Sequence, residues 1–428
     1  YELDGFNHAI NSIRNNVTRN STITLSSFLN YQKSFGDHNV KGMLGISRES
    51  FRYDITGAWR QIFASNLLTS ISAGGTDGQQ GTGTGLSRSL GSYFGRINYD
   101  YQGKYLLETS LRRDGSSKFG EGNRWGWFPS ISVGWRLSEA SFIEDIDFIS
   151  NLKVFGSWGE LGNHNIGDFL FIPRISLGSR YVLDGEIING ASVNSAENRN
   201  ISWEKSTAKN IGLDVGFFDN KLNMLAEYYD RYTYDILTTV PAPAPFGLSS
   251  PTQNIGAMSN KGFEFMLSYN NTVGKDFSYN ARLTMSFNKN TVEKWPTPTK
   301  GNTIREEGES WNAYYGYEWI GFFQDEDELA NAPSTGTSVM LGDLKYQDQL
   351  TVDTNDDGIP DETDGKINAD DRVILGNSFP ATTYGLNFGA TYRNFDFSML
   401  LQGVSNVSAA VNNMLVLPLM NGGKATKE

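Results

Sequence analysis

The sequence predicts an all-β chain, a transmembrane antiparallel β-barrel of which about twelve strands are present, and three observations carry that prediction. Apolar residues recur at every second position in segments of about ten residues. Short polar turns alternate with long connections rich in Gly, Ser, Thr, Pro and Asp. An aromatic share of 13% and 46 glycines fit strands joined by many tight turns better than a helical chain.

The strands are taken in order. Residues 22–32 and 40–46 form the first hairpin. Gln102-Gly103 joins 97–101 to 105–111, and the third hairpin pairs 130–137 with 152–158. Asp219-Asn220 joins 211–217 to 222–228. The fifth hairpin, 262–271 with 277–288, has the cleanest alternation: Phe277, Tyr279, Ala281, Leu283, Met285 and Phe287 interleave with Ser, Asn, Arg, Thr, Ser and Asn. Arg393-Asn394 joins the last pair, 384–392 and 395–401. Asn, Asp and Gly at such turns supply the positive φ that tight hairpins need.

Between hairpins lie 74–89, 112–127, 163–203, 241–254 and 293–380, all read as long connections. Short turns on one side and long loops on the other is the asymmetry of an outer-membrane barrel. A soluble sandwich produces the same alternation, because antiparallel sheets commonly wet one face. Two features favour the membrane. The polar face carries Arg96, Asp100, Glu108, Arg112, Asp214, Glu227, Arg282 and Asp396, and aromatics such as Trp125, Trp127, Phe128, Tyr228, Tyr229, Tyr384 and Tyr392 gather at strand ends, where rings bridge hydrocarbon and headgroups.

Composition narrows the function. A formal charge of −12 and no basic stripe argue against a nucleic-acid partner. Cysteine is absent, which removes disulfides, thiolate metal sites and cysteine nucleophiles together. No apolar run reaches the ~18 residues of a membrane helix, no signal-peptide pattern opens the chain, and the mean hydropathy of −0.41 cannot register a barrel whose apolar face alternates. His8, His38 and His164 are far apart with no metal-ligand spacing, and no nucleophile elbow or phosphate-loop motif occurs, so no catalytic residue is assigned and the chain is not read as an enzyme. The GTGTG run at 81–85 is read as a flexible loop.

One stretch is a candidate site. In DTNDDGIPDETDGKINADD, Asp353, Asn355, Asp357, Ile359 (through its carbonyl), Asp361 and Asp364 occupy the first, third, fifth, seventh, ninth and twelfth places of a calcium loop, with Gly358 at the turn. The half-turn that follows supplies Asp370 or Asp371. Carboxylates about 4 Å apart repel by roughly 1 kcal/mol even in water, so ordered packing of so many calls for a structural cation, calcium, of the weak extracellular class. Trp203, Trp295, Trp311, Tyr314, Tyr315 and Trp319 are of the kind that stacks on sugar rings, and loop packing or interface anchoring explains each equally well.

Several blocks carry a family resemblance. RRDGSSKFGEGNRWGWFPSISVGWRLSEASF, LKVFGSWGELGNHNIGDF, ISWEKSTAKNIGLDVGFFDNKLNMLAEYYDR, NIGAMSNKGFEFMLSYN, YYGYEWIGFFQ and DDRVILGNSFPATTYGLNFGATYRNFDFSMLLQGV occur in order. Together they resemble the barrel of TonB-dependent outer-membrane transporters of the SusC/RagA type. The resemblance implies that 1–428 is part of a 22-stranded barrel in a bacterial outer membrane, in contact with membrane lipid and lipopolysaccharide. It implies that 293–380 is extracellular, and that a plug domain, which this sequence does not show, meets the TonB complex. The implied activity is active uptake of oligosaccharide or peptide substrates with a SusD-like surface lipoprotein. NGGKATKE at the C-terminus lacks an aromatic-ended last strand, so the chain is read as an internal barrel fragment. A passive porin and a secreted calcium-stabilised β-sandwich adhesin are the alternatives.

Overall fold

The structure is a computed structural model and describes residues 10–143, 146–241 and 243–410; His8 and the C-terminal NGGKATKE lie outside them. Twelve strands form one antiparallel sheet: β1 (Ser12–Phe35), β2 (His38–Gln61), β3 (Gln80–Tyr101), β4 (Tyr105–Ser116), β5 (Trp125–Arg136), β6 (Ile149–Asn163), β7 (Glu204–Phe217), β8 (Leu222–Thr239), β9 (Thr252–Val273), β10 (Phe277–Lys294), β11 (Thr382–Tyr392) and β12 (Phe395–Ser405). Each lies beside its neighbour in sequence, so the sheet is a continuous meander with β1 and β12 at its edges. All six expected hairpins are present.

The strands are longer than the alternation suggests. β1 and β2 pair over 24 residues each, and β3 begins at Gln80, seventeen positions before the alternating segment. The extra length lies toward the long connections. Beyond the apolar band the outward positions turn polar, with Ser50, Arg52, Asp54 and Thr56 on β2 while Phe51, Tyr53 and Ile55 lie on the other face, and the backbone still pairs with its neighbouring strand in the ladder. The GTGTG run is therefore strand and not flexible loop: Gly81, Thr82, Gly83, Thr84 and Gly85 pair with Ala58, Gly57, Thr56, Ile55 and Asp54. For the same reason the connection read at 112–127 shrinks to 117–124, since its arms belong to β4 and β5.

The turns follow their chemistry. Gly36, Gln102, Gly103, Asp219, Asn220, Gly274 and Arg393 all have φ between 53° and 66°. At the last hairpin Arg393 itself, not Asn394, adopts the left-handed conformation. The 137–148 connection is longer than a tight turn and opens with the single-turn helix Leu137–Glu139.

Register assigns the faces. Ile211, Tyr228, Phe263 and Phe287 stand opposite one another across β7 to β10 and are 40–59% exposed, an apolar row facing away from the polar side. An aromatic row runs along the short-turn edge: Phe35, His38, Tyr101, Tyr105 and Trp135 are successive neighbours across five strands, with ring centroids 4.9–6.3 Å apart. A second group, Tyr93, Trp125 and Trp127, lies further up the same face, with the Arg113 guanidinium 4.8 Å and 5.1 Å from the two indoles. From Trp135 to Trp125 is ten residues on one strand, about 34 Å along it and about 26 Å along the normal at a tilt of ~40°. That matches the ~25 Å apolar band of an outer-membrane barrel.

Candidate functional site

The opposite face of the sheet forms a polar wall. All eight charged residues assigned to it from the sequence share this face by register, and several of them are paired: Asp214 with Lys153 at 3.4 Å, Arg112 with Asp114 at 2.7 Å, Asp100 with Asn39 at 2.9 Å and Glu108 with Asn98. Such pairing fixes the side chains along the wall without requiring any of them to react.

Above the apolar band the long connections pack against the wall. Phe119, Phe128, Ile201 and Trp203 form a buried cluster, with Trp203 4% exposed, its ring 5.1 Å from Phe119 and 5.4 Å from Phe128. The Trp203 indole N–H donates to the Arg124 carbonyl at 3.2 Å, and the His164 ring stacks on it at 5.4 Å. Burial, together with the nearby Lys118 and Arg88 charges, holds the His164 imidazole below the ordinary histidine range. A second cluster joins Ile236, Val292 and Trp295 to Trp311, whose ring meets Trp295 edge-on at 5.0 Å. Trp203 and Trp295 are thus packing residues, while Trp319 is 56% exposed.

The 295–381 connection carries its own structure. Thr299–Lys300, Thr303–Arg305, Ala313–Tyr317 and Arg372–Gly376 form a four-stranded sheet, Trp319–Phe322 pairs with Leu344–Tyr346, and Leu350–Val352 pairs with Glu362–Thr363. The last hairpin presents the Asp-rich turn. Asp353 Oδ2 accepts the Gly358 N–H at 2.7 Å and its Oδ1 the Asn355 N–H at 3.3 Å. Asn355 Oδ1 accepts from Asp357 N at 2.9 Å, and Asp357 Oδ1 from Ile359 N at 2.8 Å. Asp361 accepts from the Thr354 hydroxyl and N–H, which lowers its carboxyl below the ordinary range.

Asp364 is placed differently. Its oxygens come within 4.8 Å of those of Asp348 and Asp371, the one acidic trio this close among the described residues. Asp371 is fully buried and caps its own turn, while Asp370 is exposed. Burial, then the Asp371 and Asp364 charges, push the Asp348 carboxyl above the ordinary range. Asp348 precedes the acidic stretch and was missed; GDLKYQDQ holds no motif that marks it.

The family model described as TonB dependent receptor-like, beta-barrel, matches residues 1–414. The chain belongs to the TonB-dependent receptor β-barrel family. Two curated receptors are similar to it: TonB-dependent receptor P3 of Formosa agariphila, 33% identical over 94% of this chain and 40% of its own length, and TonB-dependent receptor SusC of Bacteroides thetaiotaomicron, 32% identical over 74% of this chain and 31% of its own. Among solved structures, a chain of the RagAB peptide transporter matches at a TM-score of 0.79 with 24% identity, over 94% of this chain and 43% of that one, which shows a shared fold. The chain spans about two fifths of the length of P3. As a TonB-dependent receptor barrel of the SusC/RagA type it resides in the outer membrane. Its twelve-stranded sheet, with apolar and aromatic residues outward and charged residues on the other face, is organised for that setting.

Proposed function

We propose that the receptor containing these strands is an active outer-membrane importer that takes up oligosaccharides or peptides through TonB, together with a SusD-like surface lipoprotein. The observation that carries this reading is the family match over residues 1–414 on a sheet whose three longest connections, 62–79, 164–203 and 295–381, emerge at one edge. The short-turn edge is periplasmic and the long-connection edge extracellular, as in outer-membrane barrels generally. Residues 295–381 then stand where a lipoprotein lid would dock, and calcium bound within the acidic 348–371 segment holds that loop in shape. The polar wall serves as a solvated conduit rather than a catalytic surface. The receptor's TonB contact lies in its plug.

The test is uptake of labelled oligosaccharide and peptide libraries by cells with and without the receptor gene, repeated with a protonophore, alongside affinity purification of the tagged receptor from outer membranes. Loss of uptake with the protonophore, and recovery of a surface lipoprotein, are expected. Uptake that persists without a proton gradient would show a passive barrel instead.

A further inference from the structure

The trio around Asp364 offers more than the acidic turn does. Asp348 is only 9% exposed, and its Oδ1 is buried with no hydrogen-bond partner. Asp371 is fully buried; its Oδ1 accepts the Gln349 N–H and its Oδ2 the Asn368 N–H, both at 2.8 Å. Asp364 Oδ1 accepts the Lys366 N–H at 2.9 Å and its Oδ2 the Asn368 amide at 3.2 Å. Among the described residues no Lys, Arg or His forms an ion pair with any of the three. Uncharged N–H donors aim these carboxylates without neutralising them, and each bonded oxygen keeps a lone pair free. A nine-tenths-buried carboxylate with one oxygen lacking a donor, beside two further carboxylates, is costly as an unpaired anion, and a bound cation would complete it.

We propose that Asp348, Asp364 and Asp371 form a divalent-cation site that clamps three points of the 348–371 segment. The inference deepens the calcium reading of this loop, on which it rests for the choice of ion, and relocates the ligands. Three carboxylates supply hard oxygen donors, with the remaining places of a six- to eight-fold shell left to water or main-chain carbonyls, which suits calcium better than the strict octahedron of magnesium. The clamp has a structural consequence. Asp348 leads into Leu350–Val352, Asp364 follows Glu362–Thr363, and Asp371 leads into Arg372–Gly376, which pairs with Ala313–Tyr317. One ion would therefore fasten the acidic hairpin to the four-stranded loop sheet, and the Asp353–Asp361 turn would lie at the free end of that hairpin.

Calorimetric titration of the chelator-stripped, detergent-purified receptor with calcium chloride tests this, with trypsin cleavage within 348–371 as a second readout. Wild type and D357A are expected to bind calcium alike and to gain protection, whereas D348N weakens binding at least ~10-fold and loses the protection, given an affinity class of about 10⁻⁴–10⁻³ M. D348N removes a charge while leaving the Asp364 and Asp371 hydrogen bonds in place; heat-modifiable mobility on gels verifies a folded barrel, and D364N is read in its stead if D348N does not assemble. If D357A abolishes binding and D348N does not, the ion belongs to the Asp353–Asp361 turn; this inference fails and the calcium reading survives. If wild type binds no calcium at millimolar concentration, both fall.

Discussion

Leu283 and Thr284, adjacent on β10, should respond oppositely to the same substitution. Leu283 lies six residues from Phe277 at the short-turn edge, roughly 20 Å along the strand and about 15 Å along the normal, close to the centre of a ~25 Å apolar band. Its direct neighbours are Leu267 on β9 and Leu386 on β11. Leu283→Arg puts a guanidinium into hydrocarbon at that depth, which costs about 2–4 kcal/mol. The folded-to-unfolded ratio then falls roughly 30- to 900-fold at 1.36 kcal/mol per decade. Thr284 faces the polar wall, and its hydroxyl makes only a long 3.4 Å bond to the Gly385 carbonyl. Thr284→Arg should cost at most about 1 kcal/mol. Denaturant titration of the receptor refolded into lipid vesicles, followed by tryptophan fluorescence, measures both. Equal tolerance of the two arginines would refute the face assignment, and a larger penalty at Thr284 would invert it.

Three further outcomes are expected. Trp203→Ala removes the centre of the Phe119–Phe128–Ile201 cluster and should cost about 3–5 kcal/mol locally, raising hydrogen exchange in 164–203 while leaving β9 to β12 protected. The His164 imidazole is held below its unfolded value, so the unfolded state binds more protons as pH drops below about 6.5 and the stability of this packing is lost there. Protease sensitivity of 164–203 should rise from pH 7.5 to pH 5.5, and His164→Gln should flatten that dependence. Thr354→Val removes the hydroxyl donor to Asp361, so the Asp361 carboxyl should titrate at higher pH than in wild type, read by carboxyl carbon NMR shifts.

The fold was largely legible because a barrel strand writes its orientation into a period of two. Every strand of the sheet was found from Phe, Leu and Tyr alternating with Asn, Ser and charges, and every tight turn but the 137–148 connection from Gly, Asn, Asp or a short polar pair. The alternation could not give strand ends. Above the lipid the outward face turns polar and Gly and Thr fill the start of β3, so polarity stops reporting on the ladder and GTGTG looks like loop although its backbone pairs with β2.

The candidate site divides in the same way. Local spacing defines what is local: Asp353, Asn355, Asp357 and Gly358 sit within a few residues of one another, and their mutual hydrogen bonds follow from that short separation. The trio of Asp348, Asp364 and Asp371 spans 24 positions and meets only because two small sheets bring those strand ends together. Sequence by itself determined strand, face and hairpin, since these depend on neighbours two residues apart. Only the tertiary structure decided which aspartates share a buried space and which tryptophans are core, because burial is set by chain segments that the sequence places far apart.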